Sequence, residues 1–122
     1  LLYDQDGKTS EMTADEVLIS VGRRPVTEGL GLKNIGIELE RGAIKTDDRG
    51  RTNVLGVYAA GDVNGKYMLA HAAYREAEVS VNDMLGIEDR LDYSVIPSVI
   101  YTSPEVAGVG YTEAGAKSAG ID

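Results

Sequence analysis

Cysteine is missing from this 122-residue sequence, so the chain can form no disulfide, no metal–thiolate site and no cysteine nucleophile. That absence agrees with a reducing, cytoplasmic setting. The single histidine, His71, cannot build a histidine cluster, and no metal site is expected. Positive charge is also scarce. Twelve Lys and Arg stand against twenty Asp and Glu, a formal charge of −8, which is a poor footprint for binding a phosphate backbone and argues against nucleic acid as a partner. No uninterrupted apolar run approaches the roughly 18 residues that a membrane-spanning helix needs, and no basic-then-apolar leader is present. No membrane association is therefore expected. The sequence opens on Leu1 without an initiator Met and closes on Gly120, Ile121 and Asp122 just after a short helical pattern. Both ends look cut, and the chain is expected to be a piece of a longer protein.

What is present is globular in composition, 43% hydrophobic and 26% charged, in a length that suits one ordinary domain. LLYDQ, a turn at Asp6-Gly7 and KTSEMTA read as a hairpin, because Asp-Gly tolerates the positive φ that such turns demand. VLISVG, residues 17 to 22, reads as a buried strand. Pro25 holds Arg24 extended and marks an exit from regular structure, and a Gly-rich connection follows from Thr27 to Gly36. GAIKTDDRGRT, residues 42 to 52, reads as a further strand and turn. The clearest helix covers residues 70 to 85, where Ala70, Ala73, Ala77, Val81 and Leu85 form one apolar stripe, expected to face the core, with Gly86 as its stop. Its start is unusual. Tyr67, Met68 and Leu69 stand where Ser, Thr, Asp or Asn would ordinarily satisfy the first amides. IPSVIYT and EVAGVGY read as two more strands around Ser103-Pro104, and Thr112 as the N-cap of a last helix.

TNVLGVYAAGD, residues 52 to 62, runs from an apolar, strand-like stretch into small residues and stops on a lone carboxylate, Asp62. A strand that ends this way and leads to an uncapped helix places a carboxylate and free amides at one sheet edge, where ligands of open α/β sheets gather. Two readings fit Asp62. It accepts hydrogen bonds from the hydroxyls of a sugar-like ligand while the helix N-terminus faces negative charge, or it caps a local turn with Asn64.

VGRRP (21 to 25), TNVLGVYAAGD (52 to 62), MLAHAA (68 to 73) and IPSVIYTSPEVAGVGYTE (96 to 113) together resemble, in order and spacing, the FAD-dependent pyridine nucleotide-disulfide oxidoreductases, and most closely their dihydrolipoamide-oxidising members. The resemblance implies an α/β fold, strand-rich with one main helix, as a fragment of a flavoprotein with two dinucleotide-binding domains. Residues 1–20 would be the tail of the NAD-binding domain, 21–95 the return into the FAD-binding and central region, and 96–122 the start of the dimerisation domain. By position, Asp62 matches the residue that holds the ribityl chain of FAD and Gly61 the glycine that permits close approach. Met68, Leu69 and Ala70 match the segment whose backbone lies against the flavin ring. The implied partners are a second copy of the chain and, for the parent enzyme, a lipoamide-bearing carrier protein, with NAD as the second cofactor.

Several tempting residues have plainer readings. The family's catalytic base lies in a motif beyond Asp122, so His71 is expected to position or pack, and no catalytic residue is expected in this chain. Of the adjacent Arg23 and Arg24, Arg23 is the better candidate for an interdomain contact, and Glu105 is expected to be structural. GLGLKNIG does not follow a clear strand and open a helix, so it is not read as a phosphate-binding loop. The Gly-rich fingerprints, the redox cysteine pair and the His/Glu dyad that the family's chemistry needs are all missing, so the isolated chain is expected to be inactive. Mercuric- or glutathione-reductase-like members of the same family remain open, as does a self-associating module without catalysis.

Overall fold

In the computed structural model, which describes residues 1–121, the first element is the expected hairpin. Strands β1 (Leu2–Gln5) and β2 (Lys8–Glu11) pair antiparallel with Leu2 opposite Glu11 and Gln5 opposite Lys8. Asp6 and Gly7 both adopt positive φ, 51° and 76°, the backbone of a two-residue turn whose twist matches the strands it joins. The ladder extends by one pair at its open end, where Leu1 and Met12 exchange hydrogen bonds of 2.8 and 2.9 Å.

The expected buried strand at residues 17 to 22 does not form. Residues 17 to 22 carry no regular structure, and Leu18 and Val21 are each 91% exposed. A β-branched, apolar run favours a pleated surface only when a neighbour supplies the ladder and the covering side chains. Among the described residues no segment pairs with it.

From Leu32 the chain condenses. A 3-10 turn at Leu32–Ile35 leads into β3 (Leu39–Glu40) and β4 (Ala43–Ile44), joined by Arg41 and Gly42, again both at positive φ. Ile37 and Ile44 pack with Ala59, and Leu32, Val54, Val57 and Val63 surround them. Ala59 belongs to TNVLGVYAAGD, which is less regular than its composition suggests. A tight turn at Val54–Val57 brings the chain back so that Arg51 bridges Tyr58, with Ala59 N–H donating to the Gly50 carbonyl at 3.0 Å. The residues before Asp62 are thus extended against 50–52 through one bridge, and they are not the edge of a wider sheet.

Helix α1 spans Ala70–Met84, close to the expected limits, and Gly86 ends it at φ 74° with Ile87 N–H bonded back to the Asn82 carbonyl at 2.8 Å. Its buried face is not the expected one. Ala72, Glu76, Val79, Ser80 and Asp83 are buried, while Ala70, Ala77, Val81 and Leu85 are exposed. The reason is electrostatic. Asp83, with its side chain 2% exposed, takes Arg51 through both oxygens (2.6 and 2.5 Å), Arg49 at 3.1 Å and the Tyr58 hydroxyl at 2.7 Å. These charge-assisted bonds fix the helix by its polar side on residues 49 to 58. Most of the expected core stripe points outward, and Ala73 is half-buried.

The remaining elements follow the sequence closely. Strands β5 (Ser98–Ile100) and β6 (Val106–Gly108) pair antiparallel, and α2 (Glu113–Ser118) begins at Thr112, whose hydroxyl accepts from Gly115 N–H at 3.1 Å. Asp122, the last residue of the expected interface segment, lies outside the described residues. Strands and helices alternate along an α/β chain with one main helix, and among the described residues the strands form three separate two-stranded antiparallel pairs. Among the described residues no helix is long and apolar enough to cross a membrane.

The two best-paired carboxylates set a pH dependence. Hydrogen bonds from Arg51, then Tyr58, hold Asp83 well below the usual carboxylate range, and those from Arg75 and Asn82 hold Asp89 at about 2. Depressed folded-state values stabilise the protein above the unfolded value of about 3.9 and lose that contribution as pH falls through the folded value. Stability is expected to decline from about pH 4 toward pH 2 and below, and Asp89→Asn to flatten the upper part of that decline in denaturant melts. Parallel melts of wild type and variant between pH 2 and 5 would show that the Arg75–Asp89 pair contributes nothing.

Candidate flavin-facing site

The extended segment ends at Gly61, whose φ of 82° and ψ of −160° lie in a region that essentially only glycine occupies. A Cβ there would also stand 3.3 Å from Ala73 Cβ on α1. Gly61 therefore serves twice, turning the backbone and letting it pass close to the helix. Its amide donates to Glu76 Oε2 at 2.5 Å, a buried bond between residues fifteen positions apart.

Asp62 opens a short 3-10 turn, Asp62–Asn64. The turn is built by backbone bonds from Asn64 N–H to the Gly61 carbonyl (3.0 Å) and Gly65 N–H to the Asp62 carbonyl (3.1 Å), and Asn64 Oδ1 accepts from Lys66 N–H at 3.0 Å. The capping side chain is thus that of Asn64. Asp62's carboxylate takes no part in the turn. Half exposed, it meets Arg23 Nη2 at 3.0 Å. Arg23, expected to make an interdomain contact, here reaches across 39 residues to the site itself. An exposed pair of this kind is weak and leaves the carboxylate's other lone pairs for a ligand. Asn64 Nδ2 is buried with no acceptor, one donor the loop leaves unsatisfied.

Met68 and Leu69 are half-buried and extended into α1. Leu69 occupies the N-cap with φ −130° and ψ 135°, and no side chain accepts from the first turn of the helix, which also carries no acidic residue. Among the described residues the helix start thus has no side-chain cap and no acidic residue of its own first turn to meet its positive end. Met68 and Arg23 line one open cleft of about 460 Å³ together with Asn64, Gly65, Arg24 and Arg41. Asp62's ion-pair partner and the Met68 segment thus border the same space.

Residues outside the sequence expectation brace this loop. The Tyr93 hydroxyl donates to Glu76 Oε1 at 2.9 Å, and its ring stacks on Tyr67 with centroids 5.7 Å apart and planes 13° off parallel. Burial, then the bond to Glu76, pushes the Tyr93 phenol well above its ordinary range. Lys66 Nζ sits 4.8 Å over the same ring and donates to the Asp47 carbonyl, and burial lowers its pKa. His71 Nε2 lies 2.7 Å from the Pro97 carbonyl, a tether from α1 to the approach of β5. Glu76 resembles a solvent-face charge in the sequence. The one signal that could have found it is the alternative helical spacing Ala72, Glu76, Val79, Asp83, a face of small and polar residues.

Comparison with known proteins gives this geometry its context. The profile of the pyridine nucleotide-disulphide oxidoreductases matches residues 3–77, and that of the same family's dimerisation domain matches residues 96–122. The chain is 46% identical over 121 residues to the dihydrolipoyl dehydrogenase of Bacillus subtilis, covering 98% of this chain and 26% of that protein. It is 46% identical over 117 residues to the mitochondrial dihydrolipoyl dehydrogenase of Bos taurus, covering 95% of this chain and 23% of that protein. Among solved structures, LpdA from Mycobacterium tuberculosis superimposes with a TM-score of 0.79 at 33% identity, over 93% of this chain and 25% of its own. The HOCl-induced flavoprotein disulfide reductase RclA from Escherichia coli gives 0.78 at 28% identity, over 99% of this chain and 28% of its own. The chain spans about a quarter of the length of the curated relatives it matches.

Proposed function

The chain belongs to the pyridine nucleotide-disulphide oxidoreductase family, and from that premise we propose that it is the part of a dihydrolipoyl dehydrogenase that seats the flavin of FAD and begins the subunit interface. The observation that carries the proposal is the half-exposed carboxylate of Asp62, which takes no part in its own turn and meets only the exposed Arg23 among the described residues, in a segment that leads to a helix start with no side-chain cap. Asp62 accepts hydrogen bonds from the ribityl hydroxyls, and Gly61 supplies the sharp backbone path that brings it there. Met68, Leu69 and Ala70 lay their backbone along the flavin ring. The N-terminal end of α1 favours negative charge at the ring edge it faces, by about 0.3 to 2 kcal/mol. FAD, when bound, supplies the two-electron transfer between a dithiol–disulfide couple and NAD.

This sequence contains no cysteine, so the thiol relay belongs to other parts of the protein, and the family resemblance puts the catalytic base there too. Residues 1–20 close the NAD-binding domain, 21–95 return into the FAD and central region, and 96–122 open the dimerisation domain. The substrate is dihydrolipoamide on a carrier protein, and the setting is the cytoplasm. Identities of 46% to dihydrolipoyl dehydrogenases, against 28% to RclA, favour that substrate over other disulfides. The full-length protein is expected to reduce NAD with dihydrolipoamide, while the 122-residue chain shows no turnover because it lacks the nucleophilic thiol. A full-length enzyme that ignores dihydrolipoamide and reduces another disulfide would overturn the substrate assignment. Turnover by the short chain above a flavin-only control would overturn the division of labour.

The partner proposed for residues 96–121 is a second copy. Val99, Ile100, Tyr101, Val106 and Val109 are exposed to extents from 38% to 84% on and beside β5 and β6, the kind of clustered apolar exposure that marks an interaction surface. Sedimentation is expected to give a dimer or larger assembly. A clean monomer at moderate concentration would count against the interface.

A further inference from the structure

Two stretches of the flavin seat, Gly61-Asp62 and Met68–Ala70, lie on opposite sides of the loop at 63 to 67, and each is tied to the same place. On the first side Gly61 N–H donates to Glu76 Oε2 at 2.5 Å. On the second, Tyr67, which directly precedes Met68, stacks on Tyr93. A single hydrogen bond closes the circuit, from the Tyr93 hydroxyl to Glu76 Oε1 at 2.9 Å. Glu76 is buried to 3% exposure and spends one oxygen on each tie, so neither can shift without moving the other.

We infer that Glu76 and Tyr93 form a positioning pair that sets the separation of Asp62 from the Met68–Ala70 backbone, and through it the fit of the flavin. Neither residue touches the ligand. Tyr93 also lies three residues before the dimerisation-domain match begins, and His71, in the first turn of α1, is held to Pro97 inside that match. The seat is therefore braced from the interface side of the chain as well as from α1. The inference rests on the flavin-seat reading of Asp62, and its test separates the two.

The experiment uses the full-length holoprotein, stripped of flavin and titrated with FAD, with the visible circular dichroism of the bound flavin and the melting temperature of the apoprotein measured beside the affinity. Tyr93→Phe removes the hydroxyl and keeps the stacked ring, while Glu76→Gln keeps the shape and leaves only one oxygen for two donors. Each is expected to weaken FAD by about three- to tenfold, the loss of one partly satisfied bond, and to alter the flavin dichroism, alongside the lowered apoprotein melting that an unpaired buried group brings. In an Asp62→Ala background the further loss from Glu76→Gln should shrink below about twofold, because the residue acts through that loop. Fully additive losses, or lowered melting with unaltered dichroism, would reduce the pair to a fold-stabilising role and overturn the inference. Should Glu76→Gln fail to fold, Tyr93→Phe carries the same test. If Asp62→Ala weakens FAD and neither Tyr93→Phe nor Glu76→Gln does, the positioning pair falls alone. If Asp62→Ala leaves FAD binding unchanged, the flavin seat falls and the pair with it.

Discussion

Asp62→Ala in the full-length protein is expected to loosen FAD by roughly one to two orders of magnitude, since hydrogen bonds to a charged acceptor contribute about 1.5 to 3 kcal/mol. Melting of the apoprotein should hardly move. The local turn is held by backbone bonds and by the Asn64 side chain, and the carboxylate's one contact is the exposed Arg23. Asn64→Ala supplies the contrast. It removes the acceptor for Lys66 N–H and should lower stability by about 1 kcal/mol, the usual cost of a lost cap. A flavin titration beside melting curves for both variants decides the matter: unchanged FAD affinity with a lowered melting temperature for Asp62→Ala would sink the cofactor role.

A large loss of stability is expected from a single methyl group at Gly50. There φ is 76°, and a Cβ would run into Ser80 Oγ on α1. That hydroxyl has nowhere to retreat without cost, because it donates to the Glu76 carbonyl at 2.8 Å and reaches the Arg49 carbonyl at 3.3 Å. Left-handed backbone costs a residue with a side chain about 1 to 2 kcal/mol, and overpacking adds about 1 to 3. Gly50→Ala should therefore destabilise by about 2 to 5 kcal/mol. Gly56→Ala is the control, with φ 77° and no atom near its Cβ, so only the backbone term applies. Denaturant midpoints that fall equally for both would show that the turn at 47 to 50 and α1 are not in close contact.

What could be read from the sequence was local. Asp6-Gly7 fixes a turn through its own backbone preferences, Thr112 caps α2 from three residues away, and Gly86 stops α1. The boundaries of α1 followed for the same reason. Its orientation did not, because Asp83's partners Arg49, Arg51 and Tyr58 lie 25 to 34 residues upstream, and no helical spacing reveals that a carboxylate is caged by them. Residues 17 to 22 show the converse error, for apolar composition indicates a need for covering and not the presence of the cover. At the candidate site, Gly61, Asp62 and Met68–Ala70 stand out as short strings. Arg23, Glu76 and Tyr93 are joined to them only by folding, and each looks ordinary in its own neighbourhood.

The arginine clamp on Asp83 and the Arg23–Asp62 pair differ in one further respect. Asp83 and Arg49 are largely withdrawn from water, with side chains 2% and 18% exposed, although Arg51 on the same carboxylate is 51% exposed, whereas Arg23 and Asp62 both stand in solvent, 71% and 49% exposed. Mobile ions screen charges they can surround and hardly reach those they cannot. Raising the ionic strength is therefore expected to loosen Arg23 from Asp62 more than it loosens the clamp on the buried Asp83. Salt becomes a dial that acts first on the Asp62 carboxylate and last on the attachment of the helix.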